Sequence, residues 1–365
     1  MANANQVALG RSNLSTGTGY GGATDKYALY LKLFSGEMFK GFQHETIARD
    51  LVTKRTLKNG KSLQFIYTGR MTSAFHTPGT PILGNSDKAP PVAEKTIVMD
   101  DLLISSAFVY DLDETLAHYE LRGEISKKIG YALAEKYDRL IFRSITRGAR
   151  SASPVSATNF VEPGGTQIRV GSTTNDSDAY NAGNLVNAFY DAAAAMDEKG
   201  VSSDGRCAVL NPRQYYALIQ DIGSNGLVNR DVQGTALQGG GGVIEIAGIH
   251  IYKSMNIPFL GKYGVAYGGT TGEVSPGNLG DHIGPTPENA NATGGVNNDY
   301  GTNAELGAKS CGLIFQKEAA GVVEAIGPQV QVTNGDVSVI YQGDVILGRM
   351  AMGADYLNPA AAVEL

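Results

Sequence analysis

The side chains best suited to metal binding or nucleophilic catalysis are scattered along this 365-residue chain. The histidines stand singly, at His44, His76, His118, His250 and His282. His44-Glu45 begins a zinc-protease-like string, but Ala48 occupies the position where the second histidine is needed. Cys207 and Cys311 are too few for a disulfide framework or a zinc site. Cys207 begins an apolar stretch, so we expect a buried thiol there and neither a metal site nor a catalytic cysteine.

Two glycine-containing motifs have the spacing of nucleotide-binding loops without their context. Asn59-Gly60-Lys61-Ser62 ends like a phosphate-binding loop, but Arg55 stands where that motif needs glycine. The glycines between positions 17 and 22 match the dinucleotide spacing, yet they follow no strand pattern and begin no helix pattern. There is no Gly-x-Ser-x-Gly nucleophile elbow. With no nucleophile, base and oxyanion donor in recognisable spacing, the sequence predicts neither an enzyme nor a cofactor site.

Composition indicates a loop-rich globular protein. Glycine supplies 47 of the 365 residues, and charged residues make up 18%, against a usual value of about 25%. The length allows roughly two or three domains. No apolar run reaches the roughly 18 residues of a membrane span, and the N-terminus lacks the pattern of a secretory signal. We therefore expect no membrane partner.

The formal net charge of −6 is unevenly distributed. Residues 1–70 contain ten Lys and Arg against four Asp and Glu, whereas the remaining residues contain 20 against 32. A basic leading part on an acidic body indicates contact with an acidic partner, either nucleic acid or another copy of the chain. A solvated arm with no specific contact is the alternative.

Two predicted segments precede the body of the chain. A Gly-, Asn- and Ser-rich arm is followed by short amphipathic helices over Asp25–Phe42. Residues 47–92 then predict a two-stranded ribbon with a hairpin turn at Asn59-Gly60, the strongest two-residue hairpin signal. The ribbon carries basic residues at Arg49, Lys54, Arg55, Lys58, Lys61 and Arg70. A second strand pair is predicted within residues 95–112.

A long helix is the most legible element. Asp111 and Glu114 fit a capping box, the helical pattern runs from about residue 113 to 147, and Gly148 and Pro154 are expected to end it. At about 1.5 Å per residue the rod would be roughly 50 Å long. Its predicted buried stripe is Ile125, Ile129, Leu133, Tyr137, Leu140, Ile141 and Ser144. A second, basic stripe contains Lys136, Arg139, Arg143, Arg147 and Arg150.

The remainder predicts an α/β domain after a polar linker at 151–180. A helix ending at Gly200 is followed by a strand over Cys207–Leu210, with Asn211 as N-cap and Pro212 as the first helical residue. Two strands flank a kink at Gly248. Residues 261–308 are dominated by Gly, Asn, Thr and Pro, and the chain ends in several strands with a turn at Asn334-Gly335.

Five stretches carry a resemblance to a known family. They are DKYALYLKLFSGEMFKGF, NGKSLQF, KTIVMDDLLISSAFVYDLDETLAHYELRGEISKKIGYALAE, CAVLNPRQYYALI and RMAMGADYLNPAAAVEL. With these stretches in this order, the chain resembles the major capsid proteins of tailed bacteriophages, in particular those of the short-tailed podoviruses, including cyanophages. The resemblance implies an α+β tailed-phage capsid fold, shared with herpesvirus shells. Its parts would be an N-terminal arm (1–46), an extension loop (47–92), a peripheral domain with the spine helix (93–183), an axial domain (184–341) and a C-terminal return to the peripheral domain (342–365).

The resemblance also implies function and partners. The chain would be a structural subunit of an icosahedral virion shell, forming hexamers and pentamers around packaged double-stranded DNA after assembly in the host cytoplasm. A separate scaffolding protein, a portal at one vertex and a decoration protein are the further implied partners. The basic extension-loop residues would contact a neighbouring subunit. Lys136, Arg139, Arg143 and Arg147 would face DNA, a neighbour's carboxylates or only solvent.

Two alternatives stay open at the level of sequence. One is an encapsulin-like shell of the same fold that encloses enzyme cargo in place of DNA. The other is a small-molecule enzyme built on residues 184–341, which would need a pocket with convergent titratable groups.

Overall fold

The computed structural model describes residues 47–69, 73, 75–79, 92–99, 102–110, 121–157, 160–171, 176–220, 244–257, 310–332 and 342–365. The helices are α1 (Ala48–Leu51), α2 (Leu121–Ala149), α3 (Ala182–Glu198) and α4 (Pro212–Gln220), with 3-10 helices at Asp176–Tyr180 and Pro359–Ala361. The strands are β1 (Thr53–Thr56), β2 (Ser62–Thr68), β3 (Val92–Val98), β4 (Leu103–Tyr110), β5 (Ser156–Ala157), β6 (Phe160–Val161), β7 (Thr166–Gln167), β8 (Arg206–Leu210), β9 (Ile244–Ile246), β10 (Ile249–Lys253), β11 (Gly312–Gln316), β12 (Ala320–Val332), β13 (Gly343–Tyr356) and β14 (Ala362–Glu364).

Several predicted features lie outside the described residues. They are the arm, Arg70, the capping box at Asp111 and Glu114, the 261–308 segment and the Asn334-Gly335 turn. The described residues form two compact units. The smaller contains 102–110, 121–136, 325–332 and 342–352, and the larger contains the rest.

The larger unit is built on a six-stranded sheet in the order β7-β14-β11-β8-β10-β9. β8 and β10 run parallel, whereas β8 and β11 run antiparallel. All five residues of β8 are buried, which explains its continuous apolar run Cys207–Leu210. Helix α3 packs its apolar face here, and Leu185, Phe189 and Met196 are fully buried in one cluster with sheet residues.

Local signals explain the elements around this sheet. The Asn181 side chain accepts a hydrogen bond from the backbone N–H of Gly183 and so caps α3. Ala247 and Gly248 both have positive φ, as a two-residue hairpin turn between β9 and β10 requires. Pro212 begins α4 as predicted. Asn211 stands at the N-cap position as predicted, since its carbonyl accepts the Tyr215 backbone N–H at 3.0 Å. Its side chain does not cap the helix, because the amide nitrogen donates to the Ser310 carbonyl and the oxygen has no hydrogen-bond partner.

The predicted hairpin at Asn59-Gly60 is also wrong. β1 pairs in parallel with β12, from Thr53 opposite Gly321 to Thr56 opposite Glu324. β2 pairs instead with β3, antiparallel from Ser62 opposite Val98 to Thr68 opposite Val92. Gly60, at φ +97°, lies in the turn that leads from β1, paired with β12, to β2 in a separate two-stranded sheet.

The two strands predicted within residues 95–112 are present, but the prediction that they pair with each other is wrong. β3 belongs to the ribbon with β2, whereas β4 pairs antiparallel with β13 in the smaller unit. The polar linker at 151–180 is not structureless either, since it contains β5, β6, β7 and a 3-10 helix. The structure of these segments depends on pairing with strands that are distant in the sequence. Local sequence patterns carry little information about such pairing.

The long helix is confirmed as α2, and its beginning at about residue 113 lies outside the described residues. Ile129 and Leu133 are buried, and a Cβ at Gly348 on β13 would lie 2.4 and 2.9 Å from their side chains. The single narrow stripe is wrong beyond Leu140, because every residue from there to Thr146 is buried. Gly148 does not end the helix. A Cβ there would lie 2.8 Å from Cβ of Tyr356, so this glycine permits close packing.

Candidate intersubunit contact site

The β2–β3 ribbon has one exposed face and one half-buried face. Cross-strand partners share a face, so the outer face consists of Ser62, Gln64, Ile66 and Thr68 with Val98, Thr96, Glu94 and Val92. Ile66 is 76% exposed there, and Val92 and Val98 are each more than half exposed. Neither strand has a third described strand beside it. A two-stranded sheet with exposed apolar side chains is marginal in water, so this face suits a contact with another surface.

The root of the ribbon is fixed to the larger unit by close backbone packing. Ile97 is fully buried, and the backbone N–H of Met99 donates to the Lys61 carbonyl at 2.8 Å. A Cβ at Gly353 would lie 2.3 Å from the Val98 carbonyl oxygen. Only glycine allows β13 to approach the ribbon this closely, so the ribbon leaves the body from a rigid point.

An ion pair fastens the inner face of the ribbon. Lys95 Nζ lies 2.8 Å from a carboxylate oxygen of Asp355 and 3.6 Å from the centre of the Tyr356 ring. Arg147 on α2 lies 5.8 Å from the centre of the same ring. The aromatic ring therefore joins the ribbon to α2 through two cations.

The basic residues predicted for intersubunit contact differ in their surroundings. Arg49 and Lys54 lie 3.3 and 3.9 Å from the same carboxylate oxygen of Glu324 within the chain. Arg55 stacks over the Phe65 ring at 5.6 Å. Lys58 and Lys61 are exposed at the turn around Gly60, which we call the basic corner (residues 58–61). Arg70 lies outside the described residues.

Sequence reasoning missed two carboxylates that bind the segment leading to the basic corner. Glu324 accepts a hydrogen bond from the Tyr137 hydroxyl, with 2.8 Å between the two oxygens, and burial together with Glu324 raises the Tyr137 pKa. Asp138, next to Tyr137 on α2, accepts the backbone N–H groups of Ile47 and Ala48. Asp138 lies between Tyr137 and Arg139 in the sequence, whereas Glu324 lies between two apolar residues, so neither position carries a distinctive local pattern.

The basic stripe predicted on the long helix is not one exposed face. Arg143 is only 5% exposed, whereas Lys136, Arg139 and Arg147 are half-buried. Arg150 is buried and forms an ion pair with Glu364. The last turns of α2 therefore place arginines inside the larger unit, where they have partners within the chain.

In the part of the chain that the structure describes, the cysteines and the possible metal-binding side chains are dispersed. Cys207 and Cys311 are buried thiols that form no disulfide, as predicted, and burial raises the Cys207 pKa to about 12. Among the described residues, no three His, Cys, Asp or Glu side chains are grouped to hold a metal ion. No helix in the described part of the chain has the length and apolar character to cross a membrane.

A polar cavity of about 320 Å³ lies beside the end of β2, lined by Tyr67, Glu162, Lys199, Gln316 and Asn358 among others. Desolvation by burial lowers the Lys199 pKa. Its amine donates to the Gly164 carbonyl at 2.6 Å and to the Thr166 hydroxyl. Both acceptors are neutral, so they hold Lys199 as a structural donor between two loops.

Comparisons with known proteins agree on one family. Residues 64–365 match the model of the Gp10A-like major capsid proteins. The chain is 26% identical to the major capsid protein of Escherichia phage T7 over 359 residues, covering 95% of this chain and 94% of that protein. It is also similar to the capsid structure of the cyanophage P-SCSP1u, with a TM-score of 0.69, 33% identity and 94% coverage of both chains.

A more distant likeness extends the fold. The mature capsid of bacteriophage PhiM1 aligns with a TM-score of 0.60 at 15% identity, covering 92% of this chain and 91% of that one. The predicted tailed-phage capsid fold is thereby confirmed. The cargo-enclosing shell and the small-molecule enzyme are not favoured by these similarities.

Proposed function

Because the chain belongs to the Gp10A-like major capsid protein family and is a subunit of an icosahedral phage capsid, we propose that its ribbon and basic corner contact a neighbouring subunit. The observation that carries this proposal is the outer face of β2–β3. It places Ile66 and two valines in solvent on a sheet of two strands. Assembly with copies of itself would bury this face and repeat a weak contact many times.

The basic corner supplies charge to the same contact. Lys58 and Lys61 are exposed, while Arg49 and Lys54 already face Glu324. The acidic balance of the chain beyond residue 70 offers carboxylates on an adjacent copy. Lys58 and Lys61 are therefore the pair of described residues that we propose for the charged part of the contact.

The finer assembly roles follow the same proposal. Hexamers and pentamers of the chain, with predicted arm (1–46), extension-loop (47–92), peripheral (93–183), axial (184–341) and C-terminal return (342–365) parts, would enclose double-stranded DNA. Three half-buried cations of α2 would contact phosphates or a neighbour's carboxylates, namely Lys136, Arg139 and Arg147. Arg143 is buried, so it would attract these anions only through its long-range electrostatic field. Scaffolding protein, portal and decoration protein, with assembly in the host cytoplasm, complete the proposed pathway.

Charge reversal at the corner tests the proposed contact. We expect K58E/K61E to fold normally but to assemble poorly, since each exposed ion pair is worth only about 0.2–1 kcal/mol but recurs in every subunit. K127E/K128E, which reverses two exposed lysines on α2, is the matched control. Sedimentation and electron microscopy after co-expression with the scaffolding protein measure the outcome. Normal closed shells from K58E/K61E would contradict the contact.

A further inference from the structure

Two buried carboxylates grip the segment that leads into the ribbon, and we propose that they are positioning residues for assembly. They are Asp138 on α2 and Glu324 on β12, which we call the carboxylate clamp. The clamp fixes the direction in which residues 47–57 reach the basic corner. This inference rests on the proposed function, because the ribbon so positioned is the one that contacts a neighbour.

Asp138 supplies the helix cap that α1 lacks. Its two carboxylate oxygens accept the backbone N–H groups of Ile47 at 2.9 Å and Ala48 at 3.1 Å. Ile47 stands at the N-cap, and no side-chain cap hydrogen bond is present there. The first N–H groups of a helix need acceptors, and isoleucine offers none from its side chain. The acceptor therefore comes from α2, and the Asn256 amide, 3.4 Å away, also donates to Asp138.

Glu324 holds the other end of the same segment. Its carboxylate accepts from the Tyr137 hydroxyl on one oxygen and faces Arg49 and Lys54 with the other. Its backbone carbonyl accepts from the Leu57 N–H at 2.9 Å. The Glu324 side chain, which is only 7% exposed, thus binds basic side chains of the segment. The backbone of Glu324 pairs with the end of β1.

The location of the clamp separates positioning from general stability. It binds residues 47–57, a stretch that ends at the exposed corner. The buried Glu364 carboxylate is the contrasting case. It accepts from Arg150, Gln167 and Ser310 inside the six-stranded body, away from the segment that the clamp holds. Loss of Glu364 weakens the body, whereas loss of the clamp frees the approach to the ribbon.

The experiment compares D138N and E324Q with E364Q as the matched buried-carboxylate control. Hydrogen exchange of the purified subunit measures the protection of residues 47–57, and electron microscopy shows the shape of the assembled particles. Loss of a charge-assisted hydrogen bond predicts roughly ten- to hundred-fold faster exchange in residues 47–57 for both clamp variants, with α3 nearly unchanged. The clamp variants should also give malformed or open shells. E364Q should instead raise exchange across the body sheet.

Three results would overturn the inference. These are unchanged exchange at 47–57, equal acceleration in α3, or normal shells despite faster exchange. If D138N does not fold, R49Q/K54Q tests the clamp from its exposed side with the same readouts. The outcome is separable from the proposed contact. Normal shells from K58E/K61E, together with malformed shells from the clamp variants, would remove the corner contact and keep the clamp.

Discussion

The six-stranded body and the β2–β3 ribbon are both β-structure, yet their apolar side chains have different partners. In the body, β8 is buried along its whole length between α3 and the neighbouring strands. In the ribbon, exposed and half-buried residues alternate along β2, and Ile66 points into solvent. The body completes its own core, whereas the ribbon leaves one face incomplete.

This difference shows how one chain separates folding from assembly. The apolar side chains of the body are buried against one another within the chain, so we expect the body to fold without a neighbour. The ribbon has a rigid root, formed by Gly353, Ile97 and the Lys95–Asp355 pair, and an outer face that only another surface can cover. Substitutions in the two regions should therefore affect different measurements.

A cavity in the body has the largest predicted effect on the subunit. Phe189→Ala removes a fully buried ring from the α3 face and should lower the free energy of unfolding by about 3–5 kcal/mol. Denaturant unfolding of the purified subunit measures the change. Tyr190→Ala, at the adjacent and half-exposed position, should cost far less. Similar losses from both variants would contradict the placement of the core.

A side chain at the ribbon root should have an intermediate effect. Gly353→Val places a Cβ against the Val98 backbone carbonyl, which cannot rotate away, so we expect a loss of about 1–3 kcal/mol. Faster hydrogen exchange confined to residues 92–99 would locate the damage. Gly327→Ala is the matched control, because a Cβ at that strand glycine meets nothing within 4 Å. A stable G353V subunit with unchanged exchange would show that the root is not tightly packed.

The smallest effect on the subunit is expected on the outer face. Ile66→Ser should change the free energy of unfolding by no more than about 0.5 kcal/mol, since this side chain is already in solvent. Assembled shells, however, should dissociate at lower denaturant concentration, because each copy loses buried apolar area. Gln64→Ser on the same face controls for a change without apolar loss. Shells of unaltered stability would argue that a neighbour does not cover Ile66.

Much of the body could be predicted from the sequence because its signals are local. The apolar periodicity of α2, the strand at Cys207–Leu210 and the turn at Gly248 each depend on neighbours within a few residues. The partners of β1 and β2 could not be predicted this way. Asn59-Gly60 favours a hairpin, but β1 pairs with the distant β12, a partner that no local sequence signal indicates.

The candidate site was predictable in location and not in detail. The basic residues of 49–61 mark the segment that leads into the ribbon, yet charge alone could not separate Arg49 and Lys54, which face Glu324, from the exposed corner lysines. Asp138 gave no signal, because the groups that donate hydrogen bonds to it are the backbone N–H groups of Ile47 and Ala48, far away in the sequence. The burial of Arg143 was equally hidden, since helical periodicity does not reveal that a helix is covered on all sides.

A density map of the assembled particle would show whether an adjacent subunit covers the outer face of the β2–β3 ribbon. At a resolution that shows side chains, the account predicts that the outer face of β2–β3, with Ile66, Val92 and Val98, lies against an adjacent subunit. It also predicts that Lys58 and Lys61 lie within ion-pair distance of that subunit's carboxylates. An outer face open to solvent, with the corner lysines far from any neighbouring acid, would contradict it.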